Sequence, residues 1–325
     1  MELELKRKAA LLLLLILLLA LCACGKQADD VSGLILTTGD ETGTYYRFGN
    51  LLTQKINTST TAFVATVTSA GSGQNLEALA RHEAQFAFTQ YDAMLFARQG
   101  REAFRENGPM ENFSVIASLY PEAVHIVTLD PGISSVAGLA GKRVSLGPAG
   151  SGGYSNALDI LNACGMTEKD IEAYRCSFRE AVDGLLDGSL DAAFIVAGAP
   201  VGAVSSLAED RQVYLISLDD ACIEKLLAEG PAYSRTSIPA GVYGLKEDCD
   251  TVAIDAVIVA DNSVSEDEAY DFIRGIYDNL EALKKESAFG AYLSLERAAS
   301  VTEVPYHPGA ARYYARHGIS VPSIG

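Results

Sequence analysis

From Leu34 onward, short apolar runs alternate with longer stretches whose apolar positions recur at helical spacing. GLILTTG precedes YYRFGNLLTQKIN, TAFVATVTSA precedes SGQNLEALARH, and AQFAFTQ precedes YDAMLFARQG. Short β-branched and aromatic runs fit strands, and apolar residues three or four apart fit the buried face of a helix. Three such pairs in succession predict an α/β fold with a mostly parallel sheet. The alternation resumes after FSVIASLYPEAVHIVTL, with GLAGKRVSLGP, the helix SNALDILNACG, the strand IEAYRCSF, the helix REAVDGLLDG, and the strands AAFIVAG and VYLISL.

Between the two blocks, EAVHIVTLDPGI reads as two strand-like runs broken by Pro121 and Pro131, where the chain crosses from one domain to another. DTVAIDAVIVAD is the return crossing. It leads into SEDEAYDFIRGIYDNLEALKK, read as one helix with capping residues at its start and basic residues at its end. Two crossings predict two lobes, with hinge residues near Leu129 and Thr251. Lobe 1 is expected to comprise 34–126 and 253–325, and lobe 2 to comprise 127–252.

The amino terminus follows another rule. Lys6, Arg7 and Lys8 precede AALLLLLILLLAL and then CACG. The apolar run is short for a membrane span and fits the core of an export signal. Leu21 at minus three and Ala23 at minus one place Cys24 where a bacterial lipoprotein carries its lipid. Residues 1–23 are therefore expected to be a lipoprotein signal peptide and 24–33 a polar tether, holding the chain outside the cytoplasm on the cell membrane; a plain cleaved signal or an anchor helix is the alternative.

Charge narrows the partners. The whole chain carries −17. Removing 1–23 takes away three basic and two acidic residues, giving −18. So acidic a protein repels nucleic acid, and none is expected as a partner. Four cysteines follow the leader, Cys164, Cys176, Cys222 and Cys249, with no metal-ligand spacing among them or with the four histidines, so no metal or cofactor is expected. A Cys164–Cys176 disulfide and buried free thiols both remain open.

Four loops follow strands and open helices with glycine and hydroxyl residues: TTGDETGTYYRFGNL, SAGSGQNLEALA, FAFTQYDAMLF and VSLGPAGSGGYSNALDIL. Unpaired amides in the first turn of a helix, together with its partial positive charge, stabilise an anion, and a carboxylate suits the helix that starts near Ser151. Neither the phosphate-loop ending nor the dinucleotide fingerprint is present. In open α/β sheets ligands sit beyond the carboxyl ends of the strands, so the four loops are placed to face one cleft. Catalytic signals are scarce: no zinc-protease helix and no nucleophile elbow occur, and His125 reads as a core or hinge residue. Tyr45, Tyr46, Tyr91, Tyr120, Tyr154 and Tyr243 lie beside predicted turns, offering flat walls with polar tips. Tyr313 and Tyr314 are expected to pack on the sheet.

In order, TTGDETGTYYRFG, SAGSGQNLEALA, ASLYPEAVHIV, GKRVSLGPAGSGG, SFREAVDGLLDGSLDAAFIVAGAP, TSIPAGVYG and VPYHPGAARYY resemble the TAXI class of solute-binding subunits of TRAP transporters. The resemblance runs from about Leu34 to the end of the chain. It implies a type II periplasmic-binding-protein fold that closes over a small ligand and passes it to a membrane permease, without catalysis. The implied ligands are glutamate, glutamine, 2-oxoglutarate or related acids. Thr44, Tyr45, Ser72, Asn75, Gln90, Tyr120, Ser151, Gly152 and Gly153 become the expected ligand-binding residues, with Ala197, Gly198 and Pro200 at the rim. Asp40 and Glu41 depart from the small residues of the family and are expected to point outward; pointing inward, they would favour an amino-bearing ligand over a dicarboxylate. Arg47 either faces solvent or pairs with a carboxylate. A ligand sensor acting on a receptor, and an exported hydrolase using Ser151, are the rival functions.

Overall fold

The structure is a computed structural model that describes Met1 and residues 33–324, apart from 107, 229 and 231. The expected leader beyond Met1, Cys24 and the tether up to 32 lie outside the described residues.

Three strand–helix units open the fold: β1 (Leu34–Thr37) with α1 (Thr44–Ser59), β2 (Val64–Val67) with α2 (Ser72–Ala80), and β3 (Phe86–Gln90) with α3 (Tyr91–Gln99). Along α1, Tyr45, Phe48, Leu52 and Ile56 fall on one face and are buried. Gly100 ends α3 in the left-handed conformation, at φ 63°.

The next strand, β4 (Phe113–Thr128), corrects the sequence reading, because it runs through Pro121 without a break. Pro121 lies opposite Asp255 of the returning strand, beside a register shift between Asp255 and Val257. An irregular point in the ladder is where a residue without an N–H is tolerated. A second block then comprises β5 (Arg143–Ser145), α4 (Gly152–Ala163), β6 (Glu172–Tyr174), α5 (Phe178–Asp187), β7 (Ala192–Ala197), α6 (Gly202–Asp210), β8 (Tyr214–Leu215), α7 (Asp220–Ala228) and β9 (Tyr233–Ile238).

The chain returns through β10 (Cys249–Asp261) to α8 (Glu266–Tyr277), α9 (Leu280–Glu286), α10 (Leu295–Ala298) and α11 (Pro308–Arg316). Ser265 and Glu268 close a reciprocal cap on α8. The single helix expected here is two, because Asn279 turns its side-chain amide onto the Gly275 carbonyl at 2.8 Å and so competes with the backbone where α8 ends.

Among the described residues the strand order is β2-β1-β3-β10-β4-β7-β5-β6, with β8 on β4 and β9 on β10. β1 runs parallel to β2 and β3, and β5 runs parallel to β6 and β7. β10 is antiparallel to β3, β4 and β9, so the sheet is mixed. One apolar core gathers Leu36, Phe86, Phe113, Phe272 and Tyr314. The second block packs on both faces of β7: Ala192, Phe194 and Val196 point to one cluster, and Ala193, Ile195 and Ala197 to the other. β4 and β10 pass from the first core to the second side by side, tied by Thr251 Oγ1 donating to the Val124 carbonyl at 2.8 Å.

Cys164 at the end of α4 bonds Cys222 of α7, with sulfurs 2.11 Å apart. The Cys164–Cys176 pair is thereby excluded, and Cys176 and Cys249 are free. Cys164 packs with the cluster on one sheet face while Cys176 packs with the cluster on the other, which keeps those two apart.

Candidate functional site

Four helices begin at one place. Gly43 and Thr44 open α1, Gly71 and Ser72 open α2, Ser151 and Gly152 open α4, and Ser177 and Phe178 open α5. All eight residues line one cavity of about 300 Å³ between the first core and the second block. The turns that aim these amides need glycine: Gly71 has φ 116° and Gly147, before α4, has φ 91°. Ser151 Oγ accepts from the Tyr154 amide at 3.0 Å, and Ser177 with Glu180 forms a reciprocal cap on α5. Four partial positive charges thus converge on one volume, an arrangement that stabilises an anion.

The floor is built around Glu122 of β4. The Tyr45 hydroxyl donates to Glu122 Oε2 at 2.7 Å, and the Tyr45 ring stacks on Phe88 with centroids 4.7 Å apart. Burial pushes the Glu122 carboxyl well above its ordinary range, although its bonds to Tyr45 and Gln90 pull the other way. The Gln90 amide N–H donates to Ser72 Oγ at 3.0 Å. Gln90 Oε1 is buried without a protein partner, and it lies so close to Gly152 that a methyl group there would fall 1.7 Å away.

The walls carry the remaining charge. Asp40 lines the cavity, with Oδ1 accepting from the Thr42 amide at 2.8 Å, whereas Glu41 is exposed. Glu41 thus faces outward as expected, whereas Asp40 is among the lining residues and its Oδ1 also accepts from the Thr42 hydroxyl. Arg47 is exposed and lies outside the cavity over Gly202, the first residue of α6. Arg175 is the one basic side chain among the described lining residues, and it is held by Glu168 at 2.5 Å and by the Tyr154 hydroxyl at 3.0 Å.

Of the residues singled out from the sequence, Thr44, Tyr45, Ser72, Gln90, Ser151, Gly152, Gly153 and Ala197 line the cavity. The others do not. Asn75 is buried behind it, donating to the Thr38 and Phe88 carbonyls at 2.5 and 2.8 Å, and so ties the ends of β1 and β3. Tyr120 packs in the core against Phe48 and Phe289, at 5.6 and 4.9 Å between centroids. Gly198 lies outside, its carbonyl accepting from Thr44 Oγ1 at 3.1 Å, and Pro200 is exposed.

Sequence reasoning missed Glu122, Arg175, Phe178 and Glu180. Glu122 had a signal, since it is the one acidic residue in the sixteen of β4. SFRE carried another, a serine followed three residues later by glutamate, which marks the start of a helix.

The fold is similar to that of a protein from Bordetella bronchiseptica RB50, at 15% identity over 81% of this chain and 75% of that one, with a TM-score of 0.54. It is also similar to PhnD1 from Prochlorococcus marinus in complex with methylphosphonate, at 12% identity over 81% of this chain and 89% of that one, with a TM-score of 0.51. The alkanesulfonate-binding protein SsuA from Xanthomonas axonopodis pv. citri, bound to MOPS, matches at 17% identity over 87% and 83% of the two chains, with a TM-score of 0.49. The architecture is the two-lobed α/β fold of type II periplasmic-binding proteins. A family model matches residues 36–318, and the chain belongs to the NMT1-like family.

Proposed function

We propose that this protein is an extracytoplasmic solute-binding protein of the TAXI type, which captures a small carboxylate-bearing solute by closing two lobes and delivers it, unaltered, to a TRAP-type membrane permease. The observation that carries the reading is the convergence of four helix starts, two from each block, on one cavity of about 300 Å³. The moving bodies are 34–126 with 253–325, and 127–252. Cys24 carries the lipid that keeps the protein on the membrane. The Cys164–Cys222 bond supports an oxidising compartment.

A carboxylate of the solute takes the amides at the starts of α2 and α4. Asp40 among the lining residues favours a solute that also carries an amino group, so glutamate and glutamine are preferred over 2-oxoglutarate. Differential scanning fluorimetry of the purified protein against amino acids, dicarboxylic acids, sugars and metal ions tests the reading. At a concentration about 100 times Kd, a true ligand stabilises the folded state by about 2.7 kcal/mol. Stabilisation by sugars or metals alone would overturn it.

A further inference from the structure

Glu122 stands where β4 leaves the first core, 3% exposed yet lining the cavity. The titratable groups that face it are Tyr45 from α1, Tyr120 from its own strand, Asp92 from α3 and Asp255 from β10. Asp40, Glu180 and Arg175 share the cavity wall. The cations at hand are committed elsewhere: Arg175 is held by Glu168 and Tyr154, and Arg297 holds Asp255 at 2.9 Å. An ionised Glu122 would be a buried negative charge with acidic neighbours, and burial of that kind favours the neutral acid. The neutral acid still has an O–H to donate when its oxygens accept from the Tyr45 hydroxyl and the Gln90 side chain.

We propose that Glu122 is a specificity-determining residue of the cavity: as a carboxylic acid it donates its O–H to an anionic group of the solute, so that capture is coupled to the proton it carries. The inference rests on the reading of the cavity as a solute site. Where Glu122 is ionised before binding, its carboxylate takes one proton from water as the solute enters, and no covalent bond of the solute changes. Where it stays ionised, it repels the same anionic group. The opposite assignment makes Glu122 a permanent anion that pairs with an ammonium group, and the two differ in their response to Glu122→Gln, which keeps shape and a donor but removes charge and proton.

Isothermal titration of L-glutamate and glutarate into wild-type protein and Glu122→Gln, between about pH 5 and pH 9 and in buffers of different ionisation enthalpy, separates them. The wild type is expected to take up protons on binding and to lose affinity by up to about tenfold per pH unit on the alkaline side. Glu122→Gln is expected to stay within about threefold of wild type near pH 6 and to show a flat profile. A loss of more than about tenfold in Glu122→Gln near pH 6, with no proton uptake by the wild type, overturns the proposal. Infrared spectra of solute-free wild-type protein carrying isotopically labelled glutamate provide a test independent of the probes and of the variant's folding. A buried carboxylic-acid band near neutral pH is expected, and its absence removes the proton from Glu122. Failure of both probes to bind at any pH counts instead against the solute reading.

Discussion

Gly73 of α2 and Gly150 of the loop before α4 meet backbone to backbone: a methyl group added to Gly73 would lie 2.0 Å from the Gly150 carbonyl oxygen. This contact joins the first core to the second block beside Ser72 and Ser151, which line the cavity. Because the obstacle is backbone, it cannot rotate away. Gly73→Ala therefore forces the two blocks apart and is expected to cost about 1 to 3 kcal/mol of stability as their packing is disturbed. Solute affinity measured by calorimetry is expected to fall by roughly tenfold or more. An affinity equal to wild type would show that closure does not use this contact.

Asp92 of α3 and Asn156 of α4 form a second tie across the same boundary. Asn156 Nδ2 donates to Asp92 Oδ2 at 2.6 Å and to the Tyr233 hydroxyl at 2.9 Å. Burial raises the Asp92 carboxyl to about 6, against the pull of Asn156 and of the Ala93 amide. The unfolded chain releases this proton near pH 3.9, so in the window from about 4 to 6 the folded state binds more protons than the unfolded state. Stability contributed at this site therefore falls as pH rises through that window. Urea unfolding of Asp92→Asn beside wild type, at several pH values, should show the difference between the two curves change with this sign; parallel curves would refute it.

His125 is held as the neutral imidazole. Its Nδ1 lies 3.0 Å from the Ala123 and Ile195 carbonyls, which requires the proton there, and Nε2 accepts from the Tyr243 hydroxyl at 3.1 Å. The same hydroxyl accepts from the Val201 amide at 2.6 Å. Tyr243→Phe leaves one buried acceptor and one buried donor without partners, and is expected to cost about 2 kcal/mol in chemical denaturation. Burial lowers His125 to about 4, so the unfolded state binds the extra proton first and stability falls as pH drops from about 6.5 towards 4. A His125→Gln variant should lose that acid limb.

The Cys164–Cys222 bond links positions 58 apart in sequence. Replacing both with alanine is expected to cost about 2 to 4 kcal/mol, chiefly by freeing the unfolded chain. In the folded protein Cys176, which is half-buried, should react with a thiol reagent well before the buried Cys249. Equal rates at Cys176 and Cys249 would contradict their difference in burial, and labelling of Cys164 or Cys222 would contradict the pairing.

The strand–helix alternation was legible because each unit has its own period, and the openings of α1, α2 and α4 were legible because glycine and serine mark them. Pro121 was misread because proline is a sound breaker in a regular ladder, and only the partner strand reveals the irregularity at Asp255 that accommodates it. Cys222 could not be chosen as a partner because the pairing depends on α4 lying against α7, a tertiary fact. Tyr120 was misplaced because Pro121 was read as a turn, whereas β4 runs through it and carries Tyr120 into the core; Asn75 lies inside α2, where its amide ties β1 to β3. Glu122 went unnamed although a lone acid in an apolar strand is a signal in its own right.

β4 and β10 run through both halves of the molecule as one paired ribbon, and Thr251 stitches them where they leave the first core. Neither half can melt without stripping hydrogen bonds from strands that the other half needs. The protein should therefore denature in a single step, its calorimetric and van't Hoff enthalpies agreeing.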